Sequence, residues 1–371
     1  MELMQILAAA ARRGASDIHL KAGKPPTFRI NGDMFQYREC PRIPPEDLSR
    51  VAASIMTSFQ RDRFAQSNEL DMSYSAPGVG RFRVNIFQQR NMVGMVFRAI
   101  PLQIRSIDEL RLPPVLKEIA LEPRGIVLVT GTTGSGKSTT LAALIEHINT
   151  HRSNHVMTVE DPIEFVFRDK KCIVNQREVG VDTASFSAAL KSALRQDPDV
   201  ILVGEMRDRE TVETALMAGE TGHLVLSTVH TLDAAETINR IISVFPPHQH
   251  KLVRVQLGST IRAIIGQRLV PTSDGKGRVA ALEILRNTAR VREMIEDKER
   301  VREIPDAIAE GAVSYGMQSF DQALMKHLKA GQISFEEALR QASNPNNFKL
   351  RVRGIESTSD SKWDTFENQV S

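Results

Sequence analysis

The chain is 371 residues long, with 41% apolar residues, 25% charged residues and a formal net charge of +3. That profile is one of an ordinary folded protein with a real core and two or three domains. The charge is too small to argue for a nucleic-acid partner. Residues 1–100 hold 14 Lys+Arg against 9 Asp+Glu, a mild basic excess that a solvated face accounts for.

Two cysteines, Cys40 and Cys172, lie far apart without metal-ligand spacing, which argues against a disulfide framework and for a cytoplasmic chain. No apolar run approaches the roughly 20 residues of a membrane helix. The opening stretch puts Leu3, Ile6, Leu7 and Ala10 on one side of an amphipathic helix. Short strands follow at Ser16–Leu20 and Thr27–Ile30, and Pro44–Phe64 has a helical pattern. Three β-like runs come next, Leu70–Ser75, Arg81–Phe87 and Val93–Ile100. In the second of them Phe82, Val84 and Ile86 face one way and Arg81, Arg83 and Asn85 the other, as expected of an antiparallel sheet with one buried face. Residues 1–100 thus read as a small α+β domain.

The prolines of residues 101–123 mark a linker, with a short helix near Val115–Ala120. Beyond it the texture changes. Buried-strand runs at Ile126–Thr130, Val156–Val159, Val200–Gly204, Leu224–Thr228 and Val279–Ile284 alternate with helical segments, which predicts a mostly parallel sheet with helices on both faces over residues 124–354. From about residue 287 the chain is helical and charged, and residues 355–371 read as a mobile tail without a core pattern.

Between the first of these strands and a helix starting at Lys137 lies Gly131-Thr132-Thr133-Gly134-Ser135-Gly136-Lys137-Ser138-Thr139, a match to G-x-x-x-x-G-K-[ST]. The glycines let the backbone turn its N–H groups onto phosphate, and the helix start adds unpaired donors and a positive dipole end. Lys137 is placed to bridge the β- and γ-phosphates of ATP, Ser138 to ligate Mg²⁺, and Thr139 to sit by the α-phosphate. Strand, loop and helix in register argue against a packing-only role for this loop.

In a parallel sheet ligands bind beyond the carboxyl ends of the strands. Glu205 follows the run Val200–Gly204 and so meets the nucleotide end, as a Mg²⁺ ligand or a group that polarises the attacking water. Pairing with Arg207 or Arg209 is its structural alternative. Glu160 and Glu164, in Thr158–Glu164, add carboxylates at another strand end. Histidines bracket the strand at Leu224–Thr228: His230 lies at its carboxyl end, placed for a γ-phosphate contact, and His223 at the other end suits a structural hydrogen bond as well as a functional one.

With these residues in place the chain resembles the PilT-type ATPases of the type II/IV secretion and type IV pilus superfamily. The resemblance is carried by GTTGSGKSTT, VEDPIEF, DPDVILVGEMRD and HLVLSTVHT, in family order, and by GASDIHL and YGMQSFDQAL outside them. It spans about residues 1–354 and implies a homohexameric motor with a PAS-like N-terminal domain and a RecA-like P-loop ATPase domain. It also implies Glu205 as the Walker B acid, Glu164 as the catalytic acid of the Asp box with Glu160 as a second candidate, and His230 as the His-box residue. Arg81 and Arg83 match the arginines that complete the site from a neighbouring subunit; on residues alone an ordinary solvated sheet face explains them equally. Arg195 and Arg240 are weaker candidates for such contacts.

Family members for extension or secretion usually carry a four-cysteine zinc insert, which two cysteines cannot build. The resemblance therefore implies pilus retraction: work on an inner-membrane platform protein, from the cytoplasmic face of the membrane and with peripheral contact to its machinery. The alternatives are a pilus-extension or type II secretion ATPase and, further off, a nucleic-acid translocase, for which no basic helix or aromatic-interleaved patch speaks. The segment Arg290–Asp297 matches a retraction motif in its apolar positions and Arg292, but Glu296 stands where the family has arginine.

Overall fold

The computed structural model describes residues 2–30, 32–100 and 103–354. Pro101 and Leu102 of the expected linker, and the expected tail at 355–371, lie outside the described residues. The chain divides into two compact units, Met1–Gln103 with Pro162–Val166, and Ile104–Asp161 with Phe167–Ser371. The short segment that holds Glu164 therefore groups with the first unit, whereas its place in the sequence had put it in the second.

The first unit is built on six strands, β1 Asp17–Lys21, β2 Thr27–Ile30, β3 Asp33–Gln36, β4 Glu69–Ala76, β5 Gly80–Gln89 and β6 Met92–Ile100. They form one sheet in the order β3-β2-β1-β6-β5-β4, with every pairing antiparallel. Its buried face and the helix Leu3–Arg12 share a core with Leu7, Ile18, Phe28, Val84, Ile86 and Phe97. Phe82, Val84 and Ile86 of β5 are buried in it, while Arg81 is half-buried and Arg83 exposed on the other face. The helix expected over 44–64 is in fact two, Pro45–Ile55 and Ser58–Ser67. The break is chemical. Thr57 Oγ1 accepts the Gln60 N–H at 3.2 Å and Gln60 Oε1 accepts the Thr57 N–H at 2.9 Å, a reciprocal cap that starts a new helix.

The second unit holds β7 Gly125–Thr130, β8 His155–Glu160, β9 Ile173–Glu178, β10 Val200–Val203, β11 Leu224–Val229, β12 Ile261–Pro271 and β13 Arg278–Arg286. They form a seven-stranded sheet in the order β13-β12-β7-β11-β10-β8-β9. All neighbours are parallel except β12 and β13, which pair antiparallel. All six residues of β7 and of β11 are buried, and since successive side chains point to opposite faces, both faces of the sheet are covered. The cover includes the helices Lys137–His151, Arg209–Glu220, Ala234–Ser243 and His250–Thr260. Asp208 and Asp233 cap the second and third of these by accepting N–H groups of Thr211 and Glu236. In the expected retraction-motif segment the helix Ala289–Glu296 buries Val291, Met294 and Ile295, and Glu296 takes up Arg292 in an i,i+4 ion pair at 2.8 Å.

Candidate nucleotide site

The parallel register brings four chain segments to one edge of the sheet. Thr130 of β7 lies opposite Val229 of β11, Ser227 opposite Val203 of β10, and Val203 opposite Val159 of β8. The residues that leave these strands are therefore Gly131, His230, Gly204-Glu205 and Glu160, side by side in strand order. His223 leaves from the opposite edge, where its Nδ1 lies 3.0 Å from the Ala218 carbonyl, and it serves the turn before β11. Arg195 is exposed in the turn before β10, and Arg240 is exposed on the helix Ala234–Ser243.

The loop from Gly131 needs its glycines for two separate reasons. Gly134 and Gly136 have φ of +80° and +89°, the left-handed region that strains a side-chain-bearing residue. At Gly131 and Gly136 there is also no room. A Cβ on Gly131 would lie 2.5 Å from the Gln267 carbonyl oxygen, and one on Gly136 would lie 2.7 Å from Gln267 Nε2. Gly136 is the N-cap of the helix Lys137–His151 and supplies no side-chain hydrogen bond, so the first-turn N–H groups are left to an anion. Lys137, only 7% exposed, curls back to donate from Nζ to the carbonyls of Gly131 and Thr132, each at 2.9 Å. Ser135 Oγ is buried without a hydrogen-bond partner, a polar atom that a phosphate oxygen would satisfy. Thr132, Thr133 and Gly134 are exposed at the loop tip, and Ser138 and Thr139 are half-buried on the first helical turn.

Beside the loop, Glu205 and His230 are in contact, His230 Nε2 lying 3.4 Å from Glu205 Oε1. The Arg207 guanidinium donates to the same carboxylate oxygen, so the pairing weighed as an alternative for Glu205 is present together with the histidine contact. Burial lowers the pKa of His230 below its ordinary value; the nearby Lys137 ammonium and Arg207 push the same way, and Glu205 opposes them. The imidazole is therefore neutral at pH 7. Glu160, buried at the end of β8, accepts from Thr158 Oγ1 at 2.7 Å and from Gln176 Nε2 at 3.1 Å, which fixes its carboxylate. In the first unit Arg81 donates to Ser73 Oγ across the β4–β5 pair at 2.9 Å, Arg83 is exposed on the same strand, and Glu164 is exposed in the segment Pro162–Val166.

The residues fit a nucleotide and its magnesium ion. Mg²⁺ takes hard oxygen donors, commonly one or two from the protein with the rest from phosphates and water. Ser138 and Glu205 are such donors, and among the described residues no cluster of three or more His, Cys, Asp or Glu could hold a metal unaided.

One member of this environment was missed in the sequence. Gln267 of β12 is 3% exposed and touches the loop through both ends of its amide: Nε2 donates to the Ser135 carbonyl at 2.8 Å, and Oε1 accepts from Thr140 Oγ1 at 2.6 Å. The signal was a lone amide inside Ile261–Val270, a run that is otherwise apolar apart from Arg262 and Arg268, where a buried polar group needs partners.

A parallel sheet with a glycine loop and lysine at one strand end, and carboxylates with a histidine at the next, defines an ATP-hydrolysing P-loop protein with a RecA-like domain. The chain belongs, over residues 1–340, to the family of type II/IV secretion system proteins. It is 47% identical over 351 residues to the type IV pilus retractation ATPase PilT of Pseudomonas aeruginosa, a match covering 94% of this chain and 100% of that one. It is 43% identical over 361 residues to the type IV pilus ATPase PilU of the same organism, covering 97% and 94%. A crystal structure of the pilus retraction motor PilT with bound ADP superposes with a TM-score of 0.87 at 45% identity, covering 94% of this chain and 98% of that one.

Proposed function

We infer that the protein is an ATP-driven motor of type IV pilus retraction, working as a homohexamer on a platform protein at the cytoplasmic face of the inner membrane. The relatives named for pilus retraction support the assignment. The observation that carries the mechanism is the pairing of Glu205 with a neutral His230 beside the lysine of the phosphate loop.

In this reading the N–H groups of the loop and Lys137 hold the β- and γ-phosphates of ATP. Ser138 and Glu205 hold the magnesium ion, which when bound neutralises phosphate charge. Glu205, or the Asp-box carboxylates Glu164 and Glu160, orients the water for in-line attack. His230, neutral and facing Glu205 through Nε2, has one N–H; its transfer between that carboxylate and a γ-phosphate oxygen would make the contact sensitive to the phosphate's departure. Phosphoryl transfer is mostly positioning and charge neutralisation, so an arginine supplied from outside the site is worth a large rate factor. Arg81 and Arg83 fill that role from a neighbouring subunit, on a sheet face turned away from their own core. A PAS-like first domain that rocks about the linker at 101–123 then converts turnover into force.

Mixed rings test the subunit-crossing site. Arg81→Ala and Glu205→Ala homohexamers should each be inactive, and co-assembled rings should regain measurable turnover, because each subunit supplies what its neighbour lacks. No recovery in rings shown by mass spectrometry to be mixed would rule out Arg81 acting in trans.

A further inference from the structure

Gln267 lies more than a hundred residues beyond the phosphate loop in sequence, yet it bonds both to the loop and to the helix the loop opens. Its Nε2 donates to the Ser135 carbonyl at 2.8 Å. Its Oε1 accepts from Thr140 Oγ1, on the first turn of the helix that follows, at 2.6 Å. Its backbone carbonyl lies against Gly131, and its side-chain amide against Gly136, both so close that a Cβ would clash. One buried residue thus touches the start of the loop, its end and the helix it opens.

The consequence follows from the geometry of the peptide bond. In a planar trans peptide the C=O of one residue and the N–H of the next point in opposite directions. Pinning the Ser135 carbonyl toward β12 therefore turns the Gly136 N–H the other way, into the concave side of the loop where phosphate binds. The Gly136 carbonyl accepts the Thr140 N–H at 3.0 Å, which leaves the peptide on the amino side of Gly136 for Gln267 to hold. The φ of Gly136 is +89°, it has no side chain, and glycine peptides flip at small cost. The second bond supports the first. The Ser135 carbonyl can only accept, so it takes the NH₂ of the Gln267 amide and leaves Oε1 to the Thr140 hydroxyl, which donates; the two bonds together hold the amide in place.

We propose that Gln267 is a positioning residue for nucleotide binding, holding the Ser135–Gly136 peptide with its N–H toward the β-phosphate. This rests on the loop being the phosphate site. The peptide it orients faces a phosphate and not the base or ribose, so the effect depends on the ligand. Ligands with a β-phosphate use the pinned N–H, and adenosine does not.

The test is equilibrium binding of Mg-ADP and of adenosine to the full-length protein by calorimetry or competition against a fluorescent nucleotide. Gln267→Met keeps the side-chain length and removes both hydrogen bonds. It should weaken ADP about tenfold or more, about the effect of losing one well-placed hydrogen bond, and leave adenosine within twofold of wild type. Thr140→Val, which removes the second anchor of the amide, should weaken ADP in the same direction, and in the double variant the two losses should fail to add. ADP affinity within twofold of wild type in folded Gln267→Met, or an equal loss for ADP and adenosine, would overturn the proposal. If Gln267→Met does not fold, Gln267→Glu replaces it. Its carboxyl can donate to the Ser135 carbonyl only when protonated, so ADP binding should weaken from pH 5 to pH 8 more steeply than in wild type, and a parallel profile overturns the proposal. Wild-type protein that fails to bind ADP would instead remove the nucleotide-site reading itself.

Discussion

Glu283 of β13 is 7% exposed, and its Oε1 accepts the Ala234 N–H at 2.8 Å, at the turn that follows His230. Burial pushes its pKa from 4.5 up to about 7; the Ala234 N–H and Arg268 oppose the shift, and the carboxylates of Asp233 and Asp321 add to it. Between those two values the folded protein holds a proton that the unfolded chain has released. By linkage this group's contribution to stability is complete below pH 4.5 and is lost as pH rises through 7. A gap of about 2.5 pH units at ~1.36 kcal/mol each is on the order of 3 kcal/mol of destabilisation above pH 7. Glu283→Gln keeps the size and the acceptor for Ala234 and removes the ionisation. The variant should match wild type to within about 1 kcal/mol at pH 5 and exceed it increasingly toward pH 8, by roughly 6 °C or more in melting temperature for a unit of this size. Nucleotide-free thermal unfolding of both proteins at pH 5, 6, 7 and 8 reads the difference, and other titrating groups cancel in it. A gap that stays constant with pH, or a variant less stable than wild type at pH 8, would refute the reasoning.

Two further expectations concern turnover. Lys137→Ala should lower ATP hydrolysis by about 100-fold or more, the scale of losing one charge-stabilising donor, with the circular dichroism spectrum unchanged; hydrolysis near the wild-type rate would remove Lys137 from the site. His230 titrates below its ordinary 6.5, so turnover should fall as pH drops from 7 to 5 and the imidazolium forms an ion pair with Glu205. His230→Gln should be about tenfold slower at pH 7, a loss of ~1.4 kcal/mol in barrier terms, and should lack that acid limb; the same limb in the variant would assign it to another group.

How much of this was legible in the sequence depended on how local the physics was. The loop from Gly131 to Thr139 was readable because positive φ, close approach and an uncapped helix start each demand a residue type at a fixed offset. Glu205, Glu160 and His230 were readable because parallel strands end together, so being the residue after a buried run is already a coordinate. The cap that splits the helix at Thr57 was written in the sequence as Thr-x-x-Gln, and the apolar periodicity on either side concealed it. The engagement of Glu205 by Arg207 and His230 together required the fold, since one partner is two residues away and the other follows a different strand. Glu296 is the opposite case, since its partner Arg292 lies four residues earlier on the same helix and the spacing alone brings them together.

Gln267 and Glu283 were illegible for a deeper reason, which is register. Gly266 of β12 lies opposite Thr130 of β7 on one side and Glu283 of β13 on the other. Consecutive residues of a strand face opposite sides, so Gln267 and Glu283 work on opposite faces of the same hairpin. One reaches the phosphate loop and the other the turn after His230. A slip of one residue would exchange those faces and leave a buried amide and a buried carboxyl without partners. The pairing of β12 with β7 has one irregularity, a shift between Ile261 and Ala263 that places an extra residue, Arg262, on β12. A bulge re-aims every side chain downstream of it. Arg262 donates from Nε to the Arg124 carbonyl at 3.0 Å, just before β7 begins, which anchors the extra residue where it occurs. The phase that turns Gln267 toward the phosphate loop is therefore set five residues earlier, at the far end of the strand from the nucleotide site.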